Sequence, residues 1–284
     1  MVRNVWIWVL AAVFLACGVQ ASQAQDDAPA TSSSSSKQDF IQAADVLLSV
    51  IGEPPRADLP KADDPIVHRF ILQAQNLTRL LGTREMPVTQ VEDIDVLCRK
   101  GAQIQTAYML AGLSDRASES NSAASGTRIM QQVMAENTKK YFDIFLPLTL
   151  YELHCQAVQM PPLEGVASNS SRKLAGAGMD YLYQLRKGAI QMIVGSLIMT
   201  SDLRLTQDRH AILSQLETDW DGLVLPLSVE ERTQLAAEMG RLSNSMATDA
   251  AASKQIKSLG ERIANVKCGA LCAASDRADT NDGH

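Results

Sequence analysis

The chain has 284 residues, 46% of them hydrophobic but only 5% aromatic, with 26 basic against 32 acidic side chains and a formal net charge of −6. An acidic surface repels nucleic-acid phosphates and anionic bilayers, which argues against both as main partners. Plentiful Ala, Leu and Met with few aromatics suit helix packing better than sheets, so the expected class is all-α.

The N-terminal stretch MVRNVWIWVLAAVFLACGVQASQAQ places Arg3 ahead of an uncharged apolar run from Val5 to Ala16, followed by small residues suited to signal peptidase. The pattern predicts a secretory signal peptide over 1–24, cleaved after Ala21 or Ala24, since the run is shorter than the roughly 20 residues that cross a bilayer. Export implies a periplasmic or secreted protein with no transmembrane helix in the mature chain. An alternative takes Cys17, in FLAC, as a lipidated first residue, although Phe14 and Leu15 fit a lipobox poorly. Loss of Arg3 leaves 25 basic against 32 acidic groups.

Residues 25–37, QDDAPATSSSSSK, bury too little apolar surface to order themselves and read as a flexible tether. A single helical domain is expected over 38–272 and a disordered tail over 273–284. KQDFIQAADVLLSVIG carries Phe40, Ile41, Ala44, Leu47, Leu48 and Ile51 at helical spacing, with Gly52 as its stop. After a Pro-rich connection, Asp64 and Pro65 form the N-cap and first position of an amphipathic helix ending at Gly82. Thr89 and Glu92 match a capping pair ahead of a helix whose inner face holds Leu97, Cys98, Gly101, Ile104 and Tyr108. Residues 114–126 read as a mobile polar loop.

FLPLTLYEL, from Phe145, and VLPLSVEER, from Val224, share an L-P-L end followed by Thr149-x-x-Glu152 or Ser228-x-x-Glu231. Each predicts a turn at the proline and a capped restart, although Pro147 alternatively kinks one long helix over about 127–159. Pro161 and Pro162 are expected to end that segment. The longest helix is expected over 168–202, where AIQMIVGSLIM is apolar on nearly all sides, as a central core helix should be. Further helices fit 206–218, 229–246 and 250–267. The architecture expected is an irregular bundle of about seven or eight helices.

Four cysteines follow the leader: Cys98, Cys155, Cys268 and Cys272. In an exported chain an even number reads as two disulfides with three connectivities open. The favoured pairing is Cys98 with Cys155 and Cys268 with Cys272, because Gly269 lets the chain leave a helix after Cys268 and close a small loop. The alternative crosses the tail cysteines to Cys98 and Cys155. A metal reading uses Cys268 and Cys272 as thiolates with His154 or Met160, suiting copper(I) or zinc, but needs thiols that stay reduced after export. A redox site of the C-x-x-C kind is absent.

None of His68, His154 and His210 belongs to an H-E-x-x-H motif, and no G-x-S-x-G elbow or phosphate-cradling glycine pattern occurs. DWDG, 219–222, reads as a turn in which Trp220 anchors a helix junction. The sequons at Asn76 and Asn169 are discounted, Asn76 because it falls within the expected helix. No cofactor is implied. The function expected is a non-enzymatic, exported, bacterial periplasmic protein that binds another, unknown protein. The alternatives are a metal or small-ligand binder, and a hydrolase or lyase whose carboxylates converge only in three dimensions.

Overall fold

A computed structural model describes residues 33–82, 87, 90–117, 123–169, 177–200, 206–246 and 249–281. The expected signal peptide, Cys17 and most of the expected tether lie outside them. The described residues are all-helical with no strand, in twelve helical segments rather than seven or eight. They are α1 (Ser33–Ile51), α2 (Pro65–Ala74), α3 (Leu77–Leu81), α4 (Val91–Met109), α5 (Leu113–Ala117), α6 (Ala123–Lys140), α7 (Phe142–Asn169), α8 (Ala177–Thr200), α9 (Thr206–Val224), α10 (Val229–Ser245), α11 (Ala250–Asn265) and α12 (Ala270–Asn281). No described helix is long and apolar enough to cross a membrane. Residue contacts sort into two compact units, one built on 33–82 and 93–152, the other on 153–281.

In the first unit, α1 buries Phe40, Ala43, Ala44, Leu47 and Ile51. That apolar face carries the helix back through Ser36 to Ser33, so residues 33–37, expected as part of the tether, are helical. Serine has only a modest helix penalty, which a buried face one turn away can override. Asp64 caps α2 as expected, accepting from the Ile66 N–H at 2.9 Å with Pro65 at the first position. The predicted 65–81 helix, however, breaks at Gln75–Asn76. Unbroken, it would carry Leu77 along the Val67–Phe70–Ala74 row into the core. The break instead turns Leu80 and Leu81 inward together and leaves Leu77 half-exposed.

Two tyrosines pin the Pro-rich connection between α1 and α2. Tyr108 donates to the Pro60 carbonyl at 2.9 Å, and Tyr141 accepts from the Leu59 N–H at 2.9 Å, with the two rings edge to face at 5.0 Å. Asn137 donates to the carbonyls of Met109 and Ala111, closing the end of α4. The expected polar loop at 114–126 is partly helical, in α5 and the start of α6.

The break between α6 and α7 falls at Tyr141, so Pro147 lies in the second turn of α7 and neither restarts nor ends a helix. Nor do Pro161 and Pro162 end it: α7 runs on to Asn169. A proline at 161 removes the N–H that would bond the Ala157 carbonyl. That carbonyl lies against Gly222 of α9, where any Cβ would overlap it. Close backbone approach at a glycine therefore covers the group the proline strands.

In the second unit α8, expected to be the longest helix, has 24 residues against the 28 of α7; its apolar stretch is enclosed, with Ala189, Gln191, Ile193, Ser196 and Leu197 buried and none of residues 189–199 exposed. α9 packs on α8 and α11, and α10 on α11. DWDG sits inside α9 rather than in a turn, with Trp220 wholly buried. The Ser228–Glu231 capping box opens α10 as predicted: Ser228 Oγ accepts from the Glu231 N–H and Glu231 Oε2 from the Ser228 N–H. Residues 273–281, expected as disordered tail, continue α12, because Leu271 and Ala274 bury against Leu182 of α8 with Leu163 and Ala167 of α7 alongside.

Candidate functional site

The break at Asn76 creates the first candidate. Half-exposed Leu77 faces Leu146, Pro147 and Leu150 of α7, and with Gln75 they enclose an apolar notch of about 120 Å³. Leu72, one turn before Gln75 on α2, is 54% exposed. The notch is well below the 300–1,000 Å³ of small-molecule pockets and suits a single aliphatic side chain.

A second depression in the same unit, of about 540 Å³, is polar. Lys61, Ala62, Asp63, Lys140, Tyr141, Asp143 and Ile144 line it. Lys140 is engaged within the protein: it donates to Asp58 Oδ1 at 2.9 Å and to the Ala57 carbonyl, and lies 4.9 Å from the centre of the Tyr141 ring. The ion pair with Lys140 holds the Asp58 carboxyl below its ordinary range.

The first unit also buries polar groups within its helices, among them Glu152, which was expected to cap a helix restart with Thr149 but lies in the interior of α7. Glu152 on α7 is buried, its Oε1 has no hydrogen-bond partner, and it approaches Gly101 together with the Tyr151 ring. Loss of hydration pushes its carboxyl up to about 8. Burial raises the Tyr151 phenol too, and its oxygen is likewise unpartnered.

In the second unit His154 meets a carboxylate. Its Nδ1 lies 2.9 Å from Asp219 Oδ1, and Gln215 donates to Asp219 Oδ2 at 2.5 Å. Asp219, Gly222 and Gln215 share one face of α9, the face laid on α7. DWDG thus divides its labour: Asp219 holds His154, Trp220 fills the core, Asp221 pairs outward with Arg262 at 2.7 Å, and Gly222 admits the Ala157 carbonyl. His68 and His210 are exposed. The side chains of His154 and Asp219 are 10% and 1% exposed, and neither residue lines the two depressions described above.

All four cysteines are disulfide-bonded. Cys268 bonds Cys272, as the favoured pairing has it, with their Cα atoms 5.2 Å apart, and Cys98 and Cys155 are each disulfide-bonded too. Their sulfurs are therefore no longer thiolate ligands. Met160 is buried and lies about 240° around α7 from His154, so the two do not share a face. Among the described residues no group of three or more His, Cys, Asp or Glu side chains is placed to hold a metal ion.

The structure corrects the role assigned to Gly269. α11 already ends at Asn265, and CGALC opens α12 rather than closing the helix before it. Glu164 of α7 reaches over Gly269, accepting from the N–H groups of Ala270 and Leu271, the latter at 2.9 Å. A Cβ at Gly269 would overlap that carboxylate. The helix N-terminus, with its unpaired donors and positive dipole end, is thus capped by an acidic side chain from another helix.

No family model, curated protein or solved structure matches the chain.

Proposed function

We propose that this is an exported, periplasmic or secreted protein that acts without catalysis by binding another protein. The observation that supports the reading is the notch framed by Leu77, Leu146, Pro147 and Leu150 with Leu72 exposed beside it. It is an apolar receptor for one anchoring side chain, the usual centre of a protein interface. The acidic charge of the chain and the leader read from its first 24 residues fit export and disfavour nucleic acid.

The buried polar pair weighs less for an enzyme. A general base must come within hydrogen-bond reach of a substrate proton, whereas His154 and Asp219 sit inside helix packing and the carboxylate is taken up on both oxygens. A small-ligand binder is the second reading, favoured by the depression of about 540 Å³, whose Lys61, Asp63 and Asp143 suit a zwitterion such as an amino acid.

The test is a photo-reactive residue at position 77, with one at Val229, 54% exposed in the other unit, as control. Irradiated in an exporting host, the protein labelled at 77 yields one discrete protein adduct that the 229 probe lacks. Identical adduct patterns from both positions would sink the docking assignment, and a thermal shift with free amino acids alone would move the ligand reading ahead.

A further inference from the structure

The five-residue ring closed by Cys268 and Cys272 combines three features that bear on its reactivity. It stands at the N-terminus of a helix. Its two cysteines differ in access, Cys268 being an exposed residue and Cys272 a fully buried one. The carboxylate of Glu164 lies against it, bound to the N–H groups of Ala270 and Leu271. Helix N-termini stabilise thiolates, and exchange requires one reachable sulfur and one leaving sulfur. The other bonded cysteines are both buried, Cys98 at 7% and Cys155 at 1% exposure.

We propose that Cys268–Cys272 is a site of thiol–disulfide exchange, entered at Cys268 and oxidising a dithiol of another polypeptide, with Glu164 restraining its reactivity. A substrate thiolate attacks Cys268 Sγ and a new S–S bond forms there. The Cys268–Cys272 bond breaks, and its electron pair leaves on Cys272 Sγ, which takes up a proton. The second substrate thiolate attacks the substrate sulfur of the mixed disulfide, and Cys268 leaves and is protonated. The dithiol has lost two electrons and two protons to become a disulfide, and the ring has gained both as two thiols.

Glu164 is a positioning residue here. By occupying the N–H groups at the start of α12 it withholds the donors that would stabilise a departing thiolate. Glu164→Gln keeps an acceptor but removes the charge, so the leaving thiol becomes more acidic and exchange speeds up.

The experiment treats the folded, oxidised protein with graded dithiothreitol, quenches with an alkylating reagent, and locates the label by peptide mass. Cys268 and Cys272 are expected to label at least about tenfold faster than Cys98 and Cys155, with a wider gap in Glu164→Gln. In Cys272→Ser, oxidised glutathione should leave a glutathione adduct on Cys268. Equal labelling rates for both bridges, or labelling only once circular dichroism shows unfolding, would overturn the assignment in the wild-type protein without recourse to any variant. A Glu164→Gln rate at or below wild type would remove the restraint ascribed to Glu164.

Discussion

The two units handle buried charge in opposite ways. In the second, charged groups inside the fold are answered by partners. Arg232 directs its guanidinium to the carbonyls of Val224, Leu225 and Val266, gathering the end of α9 and the residue after α11. Arg209 bonds the Thr200 carbonyl at 2.7 Å and pairs with Asp249, the N-cap of α11, while Arg186 joins Glu231 at 3.0 Å and bonds the Ser275 carbonyl. Arg209 and Arg232 are cations among helix-terminal carbonyls, where the dipole favours them. In the first unit Glu152 is buried with one oxygen unanswered. One unit uses buried charge to join helix ends; the other carries a buried acid that is most stable when neutral.

That contrast makes its largest prediction about pH. The Glu152 carboxyl titrates near 8 in the folded chain against an ordinary 4.5. A raised acid pKa means the unfolded chain loses its proton first, so stability falls as pH rises from about 4.5 and levels off above about 8. The loss is on the order of 5 kcal/mol as an upper bound. Glu152→Gln should leave urea unfolding at pH 4 unchanged and raise the midpoint at pH 9. An equal shift at both pH values would mean that folding does not raise the carboxyl's pKa.

Arg232→Ala tests the other half of the comparison. It leaves three carbonyls without their donor and should destabilise by about 2–4 kcal/mol at any pH between 5 and 9, seen as a lower denaturant midpoint. Gly222→Ala should cost about 1–3 kcal/mol, because the new methyl must push α9 away from the Ala157 carbonyl. If Gly222→Ala unfolds with the wild-type midpoint, α7 and α9 do not meet there. Leu72→Asp is the smallest, within about 0.5 kcal/mol in stability, since the side chain is already exposed. Its effect should fall on partner binding instead.

Particular residues show what the sequence could and could not disclose. Asp64–Pro65 and Ser228–Glu231 were legible because capping is a local event, decided by the few residues that make the bond. Cys268–Cys272 was legible as a pair because a loop that short restricts the options, although the part played by Gly269 was not. Glu164 stands more than a hundred residues away in the chain, and no spacing rule links it to CGALC. Pro161 and Pro162 misled for the same reason: whether an interior proline ends a helix depends on what shelters the stranded carbonyl, and Gly222 is remote in sequence. The notch was invisible because it follows from a break at Asn76 within a segment whose apolar spacing fits one unbroken helix. His154 was identified as a candidate, but its partner Asp219 was read as part of a turn.

The central claim is that the protein works through an outer apolar notch and not through its buried polar pair. It is tested most directly by purifying the protein as Leu72→Asp and as Asp219→Asn beside wild type, and measuring the amount of the protein crosslinked from position 77 that co-purifies with each. The account predicts that Leu72→Asp loses that partner while folded Asp219→Asn retains it. Retention by Leu72→Asp together with loss in a folded Asp219→Asn would contradict it and return His154 and Asp219 to the centre of the function.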